Sequence, residues 1–195
     1  MITYCVANPK DIPQIVDIFF DSFSDLIRRR YGGLPSKKAV KDIMVLYIDA
    51  AQDGFIVAKE SDKIVGYVIA VENLRKPWGA LFTKHILKLP LFLVPPRIFF
   101  VSAPTFWHFF VGAHIVTEAV SPNIRGKGVG TKLAKLIVEY LEQKKVGLVH
   151  FETEANNEPI KKIYSKLGFK EGKKFRTGKI HWLTMSKDFR AARAK

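Results

Sequence analysis

The chain has 195 residues, one cysteine, and 32 Lys+Arg against 18 Asp+Glu, for a net charge of +14. That length supports one domain with a core of its own, and a composition 48% hydrophobic and 26% charged excludes collagen-like, low-complexity and disulfide-stapled chains. Cys5 alone makes neither an internal disulfide nor a four-cysteine zinc site, which fits a reducing, cytoplasmic setting, and the positive field suits phosphate-rich cofactors, nucleic acid or anionic membrane, or simply solubility.

Met1–Pro9 lacks the charged start and apolar run of a secretory signal. Ile2–Val6 reads as a short strand, with Cys5 in it as a small buried hydrophobe. Asp11 is placed to cap a helix with Pro13 in its first turn. Ile12, Ile15, Val16, Phe19, Phe20 and Phe23 recur at helical spacing until Gly32-Gly33 stops the run. Ser36 caps a second helix whose face carries Val40, Ile43, Met44, Tyr47 and Ile48. Phe55–Glu60 and Ile64–Val71 form a hairpin across Ser61-Asp62.

Residues 73–117 contain no Asp or Glu but five basic residues and nine Phe or Trp. The uncharged stretch Ile98–Thr117 has the length of a membrane span, about 20 residues. Pro104, Gly112, His108, His114, Ser102 and Thr105 argue against spanning, and its end belongs to the next strand. A buried insertion, a lid, and a surface resting on membrane or on a partner remain.

Ala113–Val120 is the next strand, closed by Ser121-Pro122. Arg125-Gly126-Lys127-Gly128-Val129-Gly130 then runs directly into a helix with the stripe Val129, Leu133, Leu136, Ile137, Tyr140 and Leu141. Leu148–Thr153 is a strand, and Pro159–Leu167 a short helix stopped by Gly168. Phe169–Phe175 and Ile180–Ser186 make a final hairpin across Thr177-Gly178. The tail Phe189–Lys195 is basic and frayed. Residues 1–195 form one domain, with 73–112 inserted into it.

The strand, glycine turn and helix start form a phosphate-binding arrangement. Helix-initial N–H groups lack acceptors, the dipole adds positive charge, and glycines let an anion approach. Arg125, Lys127 and Lys132 add full charges. The spacing fits neither a P-loop, because Gly130 precedes Thr131-Lys132 in the wrong order, nor a dinucleotide turn, because the glycines run G-x-G-x-G. No histidine cluster has metal-ligand spacing, so no metal is expected. There is no Gly-x-Ser-x-Gly elbow for a serine hydrolase.

On these residues the chain resembles the GNAT superfamily of acetyl-CoA-dependent N-acetyltransferases. Arg125–Gly130 matches the family's [QR]-x-x-G-x-[GA] turn, Glu118–Pro122 looks like the fourth strand and its exit, and Asn157 and Tyr164 keep the N-x-x-x-x-x-x-Y spacing before Leu167-Gly168-Phe169. The resemblance covers nearly all of the chain outside roughly 73–113. It implies a mixed α/β (α+β) domain around a mostly antiparallel sheet of six or seven strands, helices on both faces, and splayed fourth and fifth strands that admit the pantetheine arm. It also implies acetyl-CoA as cosubstrate. The backbone of Glu118, Ala119 and Val120 would pair with pantetheine, the backbone from Arg125 through Gly126, Lys127, Gly128, Val129 and Gly130 to Thr131 would hold the pyrophosphate, and Asn157 would bond the arm near the gap.

The implied activity is direct acetyl transfer to a primary amine, with a backbone N–H near Val120 facing the thioester carbonyl and Tyr164 protonating the leaving sulfur. Tyr164 also reads as a plain core aromatic. Glu118, two residues before Val120, is the first candidate base, and His114, four residues before Glu118, is placed on the same face by strand alternation. His150 and Glu152 share a face of the next strand and line the other side of the gap. The insertion offers a wall for a hydrophobic acceptor, a membrane-surface foot with Arg75, Lys76, Lys84, Lys88 and Arg97, or a homodimer interface. The acceptor is a small-molecule or peptide amine. The alternative reading is a non-catalytic CoA-binding, membrane-binding or nucleic-acid-binding protein on the same fold, nucleic acid having no aromatic-bearing motif in its favour.

Overall fold

A computed structural model describes residues 1–73 and 112–190. The insertion, and with it the expectations of an acceptor wall, a membrane foot and a dimer surface, lies outside the described residues, as does the end of the basic tail. Among the described residues no helix is long and apolar enough to cross a membrane.

The order of elements is β1 (Ile2–Val6), α1 (Ile12–Tyr31), α2 (Lys37–Ala51), β2 (Phe55–Glu60), β3 (Lys63–Val71), β4 (Ala113–Val120), α3 (Val129–Gln143), β5 (Leu148–Glu154), α4 (Glu158–Lys166), β6 (Lys170–Thr177) and β7 (Ile180–Asp188). The strands form one seven-stranded sheet in the order β1-β2-β3-β4-β5-β7-β6. Every neighbouring pair is antiparallel except β4 and β5.

Two apolar clusters cover the two faces of the sheet. On one face Leu133, Ile137 and Leu141 of α3 and Tyr164 of α4 pack on Val68, Ala70, Ala113, Ile115, Val149 and Phe151. On the other, Ile12, Ile15, Val16 and Ile18 of α1 and Val40 and Met44 of α2 pack on Val57, Tyr67, Ile69 and Val71. Each fully buried aliphatic side chain contributes about 1.5–3 kcal/mol, so both helix layers stabilise the face of the sheet they cover.

Several local expectations change. Asp11 does not cap α1 with its side chain. It closes a short 3-10 turn instead, its Oδ2 accepting from Asn8 N–H at 3.0 Å while its Oδ1 takes Lys59 Nζ at 2.8 Å. Cys5 is exposed, because β1 is an edge strand whose alternation gives the packed side to Ile2 and Tyr4. Phe189, expected in a frayed tail, is 1% exposed within the α3 cluster, and its N–H donates to Gly147 O at 2.9 Å. Gly32 ends α1 in the left-handed conformation, φ +77°, where any side chain would be strained.

Candidate functional site

The site is built where the sheet comes apart. β4 and β5 run parallel and share only two rungs, Ala113 with Val149 and His114 with His150. Beyond that second rung the strands diverge into a wedge. β4 stays bonded to β3 along its other edge, where Tyr67 faces Ala119 and Gly66 faces Val120. Ser121 N–H donates to Val65 O at 2.9 Å, and alternation along an antiparallel ladder then assigns Ala119's backbone groups to Tyr67. The N–H and C=O groups of Glu118 and Val120 therefore point into the wedge, and those of Ala119 do not.

The glycine turn stands at the exit of β4. Gly126 and Gly128 have φ +79° and +80°, and a Cβ on either would meet nothing within 4 Å. Backbone conformation, not crowding, demands glycine there, and it leaves open space outside the turn. Gly128 is the N-cap of α3, and the first amide to bond back is Lys132 N–H, to Gly128 O at 3.0 Å. The amides of Val129, Gly130 and Thr131 thus open the helix without intrahelical acceptors, at the positive end of its dipole. Orphan donors beside a space that glycine keeps clear fit a pyrophosphate. Lys127 is exposed alongside. Arg125 is engaged elsewhere: its Nε donates to Val120 O at 3.0 Å and its Nη2 to Ser22 Oγ of α1 at 3.2 Å.

A β-bulge sorts the side chains of β4. Ile69 pairs with Thr117 but Ala70 pairs with Ile115, so Val116 is the extra residue. Glu118 stands opposite Val68, on the α3/α4 face, whereas His114 stands opposite Val71, on the α1/α2 face. The expectation that these two share a face is thereby corrected, since the bulge inserts one step into the alternation that the even spacing assumes.

On the α3/α4 face Tyr164 is 1% exposed and its hydroxyl donates to Glu118 Oε2 at 2.6 Å. Tyr164 packs its ring on Phe151 and Phe169, so it is a core aromatic and a hydrogen-bond donor at once. Burial and the neighbouring carboxylate hold the phenol proton on far above its ordinary range. Burial pushes the Glu118 carboxyl up to about 7, against the opposing effect of Tyr164's hydrogen bond. Gly130 lies close below the carboxylate: a Cβ there would stand 3.3 Å from Glu118 Oε1, a tight contact to which the side chain would have to yield by a few tenths of an ångström. Asn157 is the N-cap of α4, its Oδ1 accepting from Ile160 N–H at 3.4 Å, which leaves its two amide N–H donors for other partners.

The Glu118 shift fixes a pH dependence. The folded state holds the proton more tightly than the unfolded chain, so this group's contribution to stability is full below about 4.5 and is lost as pH rises through about 7. Melting temperatures measured across that window should fall with rising pH. Glu118→Gln should flatten the slope and gain on the wild type as pH increases.

On the α1/α2 face the second rung brings together side chains from two strands. His114, 7% exposed, and His150, 3% exposed, meet with ring centroids 4.8 Å apart. Glu152, two residues further along β5 on the same face, places Oε2 3.5 Å from His114 Nε2. Burial pushes its carboxyl to about 7, opposed by its own backbone N–H and by the charge of Arg30. Thr184 of β7 stands opposite Glu152. Arg30 lies over the Trp182 ring at 4.9 Å, and Arg29 makes a two-pronged contact with Glu154 at 3.0 and 3.1 Å. Alternation of His150, Glu152 and Glu154 was the signal available in the sequence. The contribution of Arg29 and Arg30 was not legible, because α1 and β5 are far apart in the chain.

A family model described as the acetyltransferase (GNAT) family matches residues 14–169. Among solved structures the chain is similar to a polyamine N-acetyltransferase of Drosophila melanogaster, with TM-score 0.70 and 14% identity over 96% of this chain and 100% of the other. It is similar to a ribosomal-protein-alanine N-acetyltransferase of Brucella melitensis, with TM-score 0.62 and 19% identity over 96% and 99%. An N-acetyltransferase of Staphylococcus aureus Mu50 gives 0.65 and 13% over 96% and 98%. At these identities the likeness speaks for the fold. No curated protein sequence matches the chain.

Proposed function

The chain belongs to the acetyltransferase (GNAT) family, and we propose that it moves an acetyl group from acetyl-CoA directly to a primary amine. One observation carries this reading: a wedge into which the backbone of Glu118 and the N–H of Val120 point opens beside a helix N-terminus whose glycines leave room for an anion. Acetyl-CoA, when bound, supplies the activated thioester. The turn from Arg125 to Thr131 binds the pyrophosphate through backbone amides, with Lys127 adding charge. The wedge edge at Glu118 and Val120 takes the pantetheine amides in place of a strand, and the Asn157 amide donors serve the arm from α4.

Attack by an amine requires that the nucleophile lose a proton and the leaving sulfur gain one, and these groups sit on different sides of the reacting carbon. The wedge offers one proton-handling group on each face. Tyr164 keeps its proton and is the acid on the α3/α4 face. Glu118 accepts that same hydroxyl and so acts as a positioning residue for Tyr164, a different role from the base read in the sequence. Glu152, a carboxylate on the α1/α2 face with His114 beside it, is the base. Val120 N–H points into the wedge and is the donor for the carbonyl oxygen.

The test is release of CoA thiol from acetyl-CoA with a panel of small and peptide amines. Transfer is expected with at least one primary amine, and Tyr164→Phe should lower kcat at least tenfold at unchanged acetyl-CoA affinity. Undiminished kcat in Tyr164→Phe removes the acid role. Binding of acetyl-CoA without transfer to any amine would replace the enzyme with a CoA-binding protein.

A further inference from the structure

The vertex of the wedge holds a three-residue donor set, of which acetyl transfer as proposed uses only Glu152 as its base. One ligand-type atom each from His114, His150 and Glu152 lies within 4.8 Å of the others. The His114 and Glu152 side chains are 9% and 10% exposed. Glu152 Oε1 and Thr184 Oγ1 are buried and, among the described residues, have no hydrogen-bond partner. We propose that His114, His150 and Glu152 bind one transition dication with the preferences of zinc.

The chemistry selects the ion. Two imidazoles with one carboxylate match the borderline-soft dications, whereas calcium and magnesium ask for oxygen shells. Ligand atoms bound at about 2.0–2.1 Å in a tetrahedron stand about 3.3 Å apart. The His114 Nε2 to Glu152 Oε2 edge is already 3.5 Å. All three atoms lie within 4.8 Å of one another, so no separation has to close by more than about 1.5 Å, a movement within reach of side-chain rotation of the three ligands. Three protein ligands leave a fourth position for water, and Thr184 stands opposite Glu152 in register to bond such a water. Arg30 is close enough to act on the Glu152 charge and opposes a dication there, so the site is weaker than a dedicated structural zinc site.

An ion at this place would do two things. It would clamp β4 to β5 at the last rung before they part, and it would occupy Glu152 and so shut off transfer. The binding itself does not depend on the transferase reading, and its test reads binding alone.

The experiment uses the untagged full chain, freed of metal with a chelator, and titrates zinc by calorimetry and cobalt(II) by visible absorption. One ion per chain is expected, with the intense visible bands of tetrahedral cobalt. Glu152→Gln, which keeps side-chain volume, and His150→Ala should each weaken binding at least tenfold. His181→Ala, removing an exposed histidine of β7, should leave it unchanged. Absence of one-to-one binding overturns the proposal, and so does binding that persists in both Glu152→Gln and His150→Ala.

Discussion

Acetyl-CoA titrated into Gly128→Glu should show no saturable heat, against clear saturation in the wild type. Gly128 sits at φ +80° as the N-cap of α3, with open space beyond it. An L-residue there costs about 1–2 kcal/mol of backbone strain. A carboxylate placed on the orphan amides also competes with the pyrophosphate for the same donors, worth about 1 kcal/mol more at a helix N-terminus. A side chain at this position drives the free turn out of the left-handed conformation, to which it must return to bind, so both terms fall on affinity and together weaken it by roughly 100-fold. Gly128→Ala separates the two terms, because it carries the strain without the charge and should lose about tenfold. Equal affinity in wild type and Gly128→Glu would place the phosphates elsewhere and remove the turn from the cofactor site.

Glu152→Gln should lower kcat by about 100-fold or more, within the range for loss of a general base, while leaving acetyl-CoA affinity unchanged. Glu118→Gln is the informative partner. Glu118 lies on the other face and holds Tyr164's hydroxyl at 2.6 Å, and glutamine can still accept that bond. Its kcat should therefore fall less than that of Glu152→Gln. If Glu118→Gln proves the more damaging of the two, with Glu152→Gln near wild type, the base belongs on the α3/α4 face and the assignment of the two carboxylates reverses. The comparison needs only one active acceptor amine.

Much of this was legible in the sequence because the signals are local. Gly126 and Gly128 occupy positions that left-handed backbone requires, and Asn157 and Tyr164 stand at the cap and on the buried face of one short helix. The seven strands follow from alternation and turn residues, and the splay of β4 from β5 is as the resemblance implied. What failed depended on long-range pairing. His114 was assigned to Glu118's face by counting residues, and a count cannot register the extra residue Val116, which exists only relative to β3. Glu152 was placed on the gap, but its closeness to His114 is a product of the parallel rung between β4 and β5. Cys5 reads as a small buried hydrophobe of the first strand, and only the sheet order shows that this strand is an edge, where Cys5 is exposed. The sequence offers Arg125 as phosphate charge but does not show that its guanidinium lies on a main-chain acceptor five residues back and on a serine of α1.

Those two arginine contacts give α1 a mechanical role. Ser22 and Arg29 are seven residues apart, two turns along one side of the helix. Through Ser22 the helix is tied to Arg125 and so to the end of β4, and through Arg29 it is tied to Glu154 at the end of β5. The helix thus lies as a crosspiece between the free tips of two strands that no longer hold each other. The hinge of the wedge is a backbone rung, its two sides are held by the β3 and β7 ladders, and the α1 contacts add a light strut across the opening. A bound molecule that took Arg125 from Ser22 would release the β4 side alone and leave the β5 side held through Arg29 and Glu154.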